Sequence, residues 1–282
     1  MTAAAAALHL TPSAVSQQLR VLSRALGVPL TERDGRRVRL TAQAALVLRE
    51  TEAIDAQLER VRAELAAFAE GRAGAVSIGT FASAVQPIVI AALRSLKRER
   101  PNLEVSIAEV EAPVGFVALE RAEVDVLITV EYAGGPTRAD SRFERVGLVR
   151  DPLLAVLPNT HPLARKQGPV RLQDLADDRW VIGTVGHPCV DATTAAQSLA
   201  GFTANVVHRT DDWPTTAAIV AGCGAVALIP KLALRTVPRR GFVVRDLAQP
   251  TARNIYAATR AGSASAPHIA AALSALAGAA AD

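Results

Sequence analysis

At 282 residues, half of them apolar, the chain is long enough for two or three compact units, each with a core of its own. Its two cysteines exclude a disulfide framework, and no run approaches the roughly 18 apolar residues of a membrane span. The opening residues lack the basic and apolar regions of a signal peptide, so the expected location is cytoplasmic, with no membrane partner. The net charge of +4 is concentrated at one end. Residues 1–41 hold Arg20, Arg24, Arg33, Arg36, Arg37 and Arg39 against Glu32 and Asp34, whereas residues 42–282 balance at 25 basic and 25 acidic groups. A neutral body with a basic end suits a phosphate-binding module; the alternative is an arginine-rich solvated helix face.

The alanines of residues 2–8 favour a helix. Thr11-Pro12 then reads as a fresh start, Thr as N-cap and Pro preset for the first helical position. The second helix is predicted to run to Leu26, with Val15, Leu19, Leu22 and Leu26 on an apolar face, and to stop at Gly27. Asp34-Gly35 marks a hairpin turn between short extended arms. Helix, tight connection, helix and basic hairpin together read as a winged helix-turn-helix.

From Ala42 to Glu70 there is neither Pro nor Gly, and Val47, Ile54, Leu58, Val61, Leu65 and Phe68 keep the a/d rhythm of a coiled-coil seam. So narrow and long a stripe fits a partner subunit better than the chain's own body. Gly71–Gly74 forms a short linker. Beyond Ala75 strands and helices alternate: AVSIGTF, a helix over 83–99, LEVSIAEV, a short helix over 113–121, and VDVLITV, a series that predicts a parallel sheet. After the extended RVGLVRDPLLAVLP a second series follows: RWVIG, a helix over 190–200, ANVVH, a helix over 213–221, and AVALI. GFVVRDL, NIYAATR and a helix over 266–278 close the chain. Two such lobes joined by extended crossovers predict a hinged clamp with a cleft at the strands' carboxyl ends.

The string AAAAALHLTPSAVSQQLRVLSRALGVPLTERDGRRVRLT resembles the signature of LysR-type transcriptional regulators: an alanine pair, a capped helix with Ser and Gln, then LG-x-x-L-x-x-R and R-x-x-x-LT. RPNLEVSI, DPLLAVLPNTHPLA, LQDLADDRWV, TDDWPTTAAIVAGCGAVALIP and YAATR continue the resemblance over essentially the whole chain. It implies a multidomain protein, with an all-α winged helix-turn-helix at 1–41 and a dimerising helix and hinge at 42–74. An α/β two-lobed effector domain of the type II periplasmic-binding-protein kind follows at 75–282, lobe I covering about 75–149 and 243–282 and lobe II about 150–242. Two departures stand out. The family carries a further helix ahead of the alanine pair, so a start codon upstream of Met1 is expected; and Thr31 and Ala44 replace the usual Phe and Gly.

The resemblance lays the N-terminal end of the helix from Pro12 in a major groove. The expected DNA-binding residues are Thr11, Pro12, Ser13, Ser16, Gln17 and Arg20, with Gln17 suited to adenine and Arg20 to phosphate. Arg36 matches a minor-groove arginine at the wing tip, with Arg33 and Arg37 on the backbone, although Arg33 has acidic neighbours to pair with instead. Implied partners are promoter duplex carrying an interrupted palindrome, a second copy through residues 42–70 in a dimer or tetramer, and RNA polymerase.

Effector contacts are expected at Thr80, Phe81, Ala82 and Ser83, at Thr129 and Glu131, and from the facing lobe at Thr184, Thr210 and Asp211. Ser83 opens a helix and so a potential anion site. Polar groups with little net charge suit a small organic acid, amide or aromatic metabolite; each is also an ordinary turn residue. No enzyme activity, metal or cofactor is expected. The five histidines lack metal-ligand spacing, neither G-x-S-x-G nor a P-loop occurs, and the apolar setting of Cys223 predicts a packed thiol rather than a redox partner for Cys189. A solute-binding protein shares the clamp architecture but has no use for the basic hairpin.

Overall fold

The computed structural model describes residues 2–34, 37–68 and 74–281. It divides into two compact units, residues 1–58 and 59–282.

In the first unit, α1 (Thr2–Ala7) precedes α2 (Pro12–Leu26). Thr11 Oγ1 accepts the Ala14 N–H at 3.2 Å, Pro12 takes the first helical position, and Gly27 closes the helix at φ 70°, a conformation that costs glycine little. Strands β1 (Thr31–Asp34) and β2 (Arg37–Leu40) pair antiparallel from Thr31↔Leu40 to Asp34↔Arg37. Thr41 ties this hairpin to the next helix, donating to Pro29 O at 2.7 Å and accepting from Ala44 N at 3.1 Å. The buried centre is small: Ala5, Val15, Leu30 and Ala44. Leu22 and Leu26, expected on the buried face, are exposed; Leu8, Leu22, Val38 and Leu40 border an open groove of about 500 Å³. Helix α3 (Ala42–Phe68) runs as its unbroken composition predicts.

The second unit holds two lobes. In lobe I, β3 (Ala75–Thr80) lies parallel to both β4 (Glu104–Glu109) and β5 (Val126–Val130), as the β-α-β-α-β series predicts. Between β3 and β4 runs one continuous helical stretch, α4 (Ala82–Ala84), a π-helical segment Val85–Ile90, and α5 (Ala91–Glu99). Pro87 has no N–H to give, which explains the widened turn around it. Helix α6 (Val114–Glu120) covers the opposite face of the sheet.

The sixteen-residue β6 (Phe143–Pro158) belongs to both lobes. Its first part pairs with β11 (Ala252–Arg260) in lobe I, and its last part with β9 (Ala227–Pro230) and β10 (Phe242–Arg245) in lobe II. All of β10 pairs with Ala155–Pro158, so the strand straddling the expected boundary at 242/243 stays with lobe II. The remainder of that lobe is the parallel pair β7 (Arg179–Ile182) and β8 (Asn205–Arg209), with α7 (Pro188–Leu199) and α8 (Trp213–Cys223) on its two faces. Trp180 is wholly buried there, and its indole N–H donates to Leu175 O at 3.1 Å, so the large ring is packed without an orphaned donor. Helix α9 (Pro267–Ala281) returns to lobe I and packs Ile269, Ala272, Leu273 and Leu276 against the core of β3, β5 and α5.

Candidate functional site

The basic unit presents a polar helix face. Ser13, Gln17 and Arg20, spaced four and three residues apart, share one side of α2 and are exposed, as are Thr11 and Pro12 at its start. Ser16 is half-buried, and its hydroxyl is taken up by Pro12 O at 2.9 Å, so it is less available than the sequence suggests. Arg33 is exposed on β1, while the ion pair of the hairpin forms next to it, between Arg39 and Glu32 at 2.6 Å. Arg36 lies outside the described residues, and Arg37 is placed by its backbone opposite Asp34.

In the second unit the expected effector residues fall into separate groups. Thr80, Phe81 and Ser83 are buried at the carboxyl end of β3, while Ala82 is exposed. The Ser83 hydroxyl already has a partner: its Oγ accepts from Arg253 Nη2 at 2.8 Å. The same guanidinium donates through Nε to Asp151 Oδ2 at 2.9 Å, lies 4.9 Å above the Phe81 ring, and reaches Cys189 Sγ at 3.1 Å. Arg253 and Asp151 are almost fully buried, and Asp151 Oδ1 also accepts the Leu232 N–H at 3.0 Å. This pair therefore pins both crossover strands, β6 and β11, to the segment after β9.

Across the cleft, Thr184 gives its N–H and hydroxyl to the two oxygens of Asp211, each at 2.7 Å. Partial burial pushes the Asp211 carboxyl up, but these hydrogen bonds and the nearby His187 outweigh it and hold the group below its ordinary range. Thr210, Asp211, His187 and Cys189 line a cavity of about 20 Å³. Thr129 is sealed within β5. Glu131 is exposed and accepts from Asn254 at 2.7 Å and Arg138 at 2.9 Å, which together lower its pKa, Asn254 most.

Sequence reasoning missed Glu111, Asp151, His187, Cys189 and Arg253 as the residues that meet where the two lobes touch. The signal available was a set of isolated charged residues within or just after apolar strands, together with the GHPC turn. Cys223 is exposed rather than packed, because α8 turns Thr216, Ala217 and Val220 inward and leaves its last residue at the surface. No group of three or more metal-ligating side chains is found among the described residues, and no described helix is long and apolar enough to cross a membrane.

Comparison with known proteins accounts for both units. Residues 69–281 match the LysR substrate binding domain, and residues 1–45 match the bacterial regulatory helix-turn-helix protein, lysR family. The HTH-type transcriptional regulator GbpR of Azospirillum brasilense is 31% identical over 65% of this chain, which spans 53% of GbpR's length. XapR of Escherichia coli is 25% identical over 90% of this chain and 84% of its own. Among solved structures, a peroxide-bound mutant of Corynebacterium glutamicum OxyR shares the fold at a TM-score of 0.66 and 21% identity, covering 98% of this chain and 86% of that one. With a helix-turn-helix match at one end and an effector-domain match over most of the remainder, the chain belongs to the LysR family of bacterial transcriptional regulators.

Proposed function

We propose that this chain binds a promoter at an interrupted palindrome, as a dimer or tetramer held together through α3, and that a small organic molecule in the interlobe cleft of the second unit modulates it. The observation that carries the reading is the exposed face of Ser13, Gln17 and Arg20 behind a capped helix start, in a chain matching both the DNA-binding and the effector domain of one regulator family. The amide of Gln17 can pair with an adenine edge, and the helix start with Thr11 and Pro12 suits a phosphate. Arg20, Arg33 and Arg37 supply sequence-independent attraction, and Arg36, as the family resemblance implies, a minor-groove contact. RNA polymerase is the further partner such a regulator addresses, and the cytoplasm its place of work.

The experiment is a fluorescence-anisotropy titration of the full chain against the promoter region beside its own gene and against a scrambled duplex. The expected result is a clear preference for the promoter, reduced about tenfold or more by Gln17→Ala, whereas Arg20→Ala weakens both duplexes alike. Equal affinity of the unsubstituted chain for both duplexes would overturn the reading.

A further inference from the structure

The first turn of α7 crosses the cleft three times. His187, its N-cap, sets Nε2 2.6 Å from the Glu111 carboxylate. Cys189 Sγ receives Arg253 Nη1 at 3.1 Å, and Asp191 Oδ2 accepts the Ala133 N–H at 3.2 Å. The three side chains are alternate residues of one helical turn in lobe II. Their partners lie on three separate parts of lobe I: the segment after β4, strand β11, and the loop after β5.

Each contact is of a kind that can be exchanged. The Arg253 guanidinium is fixed by Asp151 on the crossover strand β6 and by Ser83, and the donor it sends to α7 meets only sulfur, a weak acceptor. The Glu111 side chain is 38% exposed, so water competes for it. The Ala133 amide is likewise at the surface. Behind the turn, the cavity lined by His187, Cys189, Thr210 and Asp211 is about 20 Å³, room for roughly one water molecule. Organic ligands occupy pockets of roughly 300 Å³ or more, so this cavity admits nothing larger than water unless the turn moves.

We propose that the first turn of α7 is a latch holding the two lobes closed, and that the lobes part by releasing His187, Cys189 and Asp191 together from Glu111, Arg253 and Ala133. Because the three side chains share one rigid turn, loss of any contact weakens the other two. The latch rests on contacts within the chain alone and holds whether or not the cleft takes an effector.

The reporter is the Ala133 amide, whose partner is Asp191 and which touches neither of the substituted side chains. Hydrogen–deuterium exchange of the full, ligand-free chain is followed at that amide by fragment mass spectrometry, for the unsubstituted protein, Glu111→Gln and Cys189→Ala. Both substitutions are expected to raise Ala133 exchange at least threefold, while the amides of β3, β5 and β9 keep their protection and show that the lobes remain folded. Unchanged exchange at Ala133 in both variants would mean three independent surface contacts and would overturn the latch.

Discussion

Of the cleft residues, Asp151 and Arg253 carry the largest energetic consequence. Two charges with side chains 1% and 2% exposed are tolerable only because each is spent on the other and on further hydrogen bonds. Asp151→Ala should therefore cost about 3–5 kcal/mol, the usual cost of leaving one charge of a buried pair uncompensated. Urea unfolding monitored at Trp180 and Trp213 measures it; a loss under about 1 kcal/mol would show the guanidinium to be solvated after all. His187 makes a pH-dependent contribution. Hydrogen bonding to the Cys189 side chain, then to Glu111, raises the ring to about 10 against the opposing effect of partial burial. A folded-state value above the ordinary 6.5 means stability fully present below pH 6.5 and lost as pH climbs through about 10. The stability difference between the unsubstituted chain and Glu111→Gln should thus be largest near pH 6 and shrink by pH 10; a difference that stays constant would place the proton elsewhere. Neither residue role was legible in the sequence. Asp151 and Arg253 are 102 positions apart, and nothing local distinguishes a strand charge facing solvent from one facing a neighbouring charge.

Elements whose causes are local were legible almost to the residue. The limits of α2 follow from Thr11-Pro12 and Gly27, which act within one turn of their own positions. The strands of both lobes followed from short apolar runs between turn signals. The assignment of β10 to lobe II was not legible, because a four-residue strand carries no mark of which neighbour it will join. The π-helical segment at Val85–Ile90 was hidden for a related reason: Pro87 announces a disturbance but not its form. Helix α3 shows what a legible pattern still requires. Its seam residues Ile54, Leu58 and Val61 are 60%, 51% and 41% exposed. An apolar stripe left so open on a long helix is stabilised once a second copy covers it. If the proposed dimer forms through this stripe, Ile54→Asp should convert it to monomer at micromolar concentration in sedimentation velocity. A dimer of unchanged affinity would locate the association surface away from this stripe.

At the scale of the molecule the division of charge is the organising fact, and it yields a number. The excess of positive charge lies wholly in residues 1–41, and there the Arg39–Glu32 pair removes one arginine from the set available to DNA. If Arg20, Arg33, Arg36 and Arg37 of each protomer meet phosphate or the groove edge, a dimer displaces about eight counterions. Log affinity should then fall against log salt with a slope of about −7. Arg33→Ala, removing one contact per protomer, should flatten that slope by about 2 without altering the preference for promoter over scrambled duplex. Glu32→Gln should act in the opposite direction, because it frees Arg39 and adds up to two contacts to the dimer. Residues 42–282, which balance in charge, contribute almost nothing to the slope, so substitutions at the latch should leave it unchanged even where they alter affinity through the separation of the lobes. A slope near −1 for the unsubstituted chain would mean that the basic end does not track the phosphate backbone, and the arginines would then be a solvated surface.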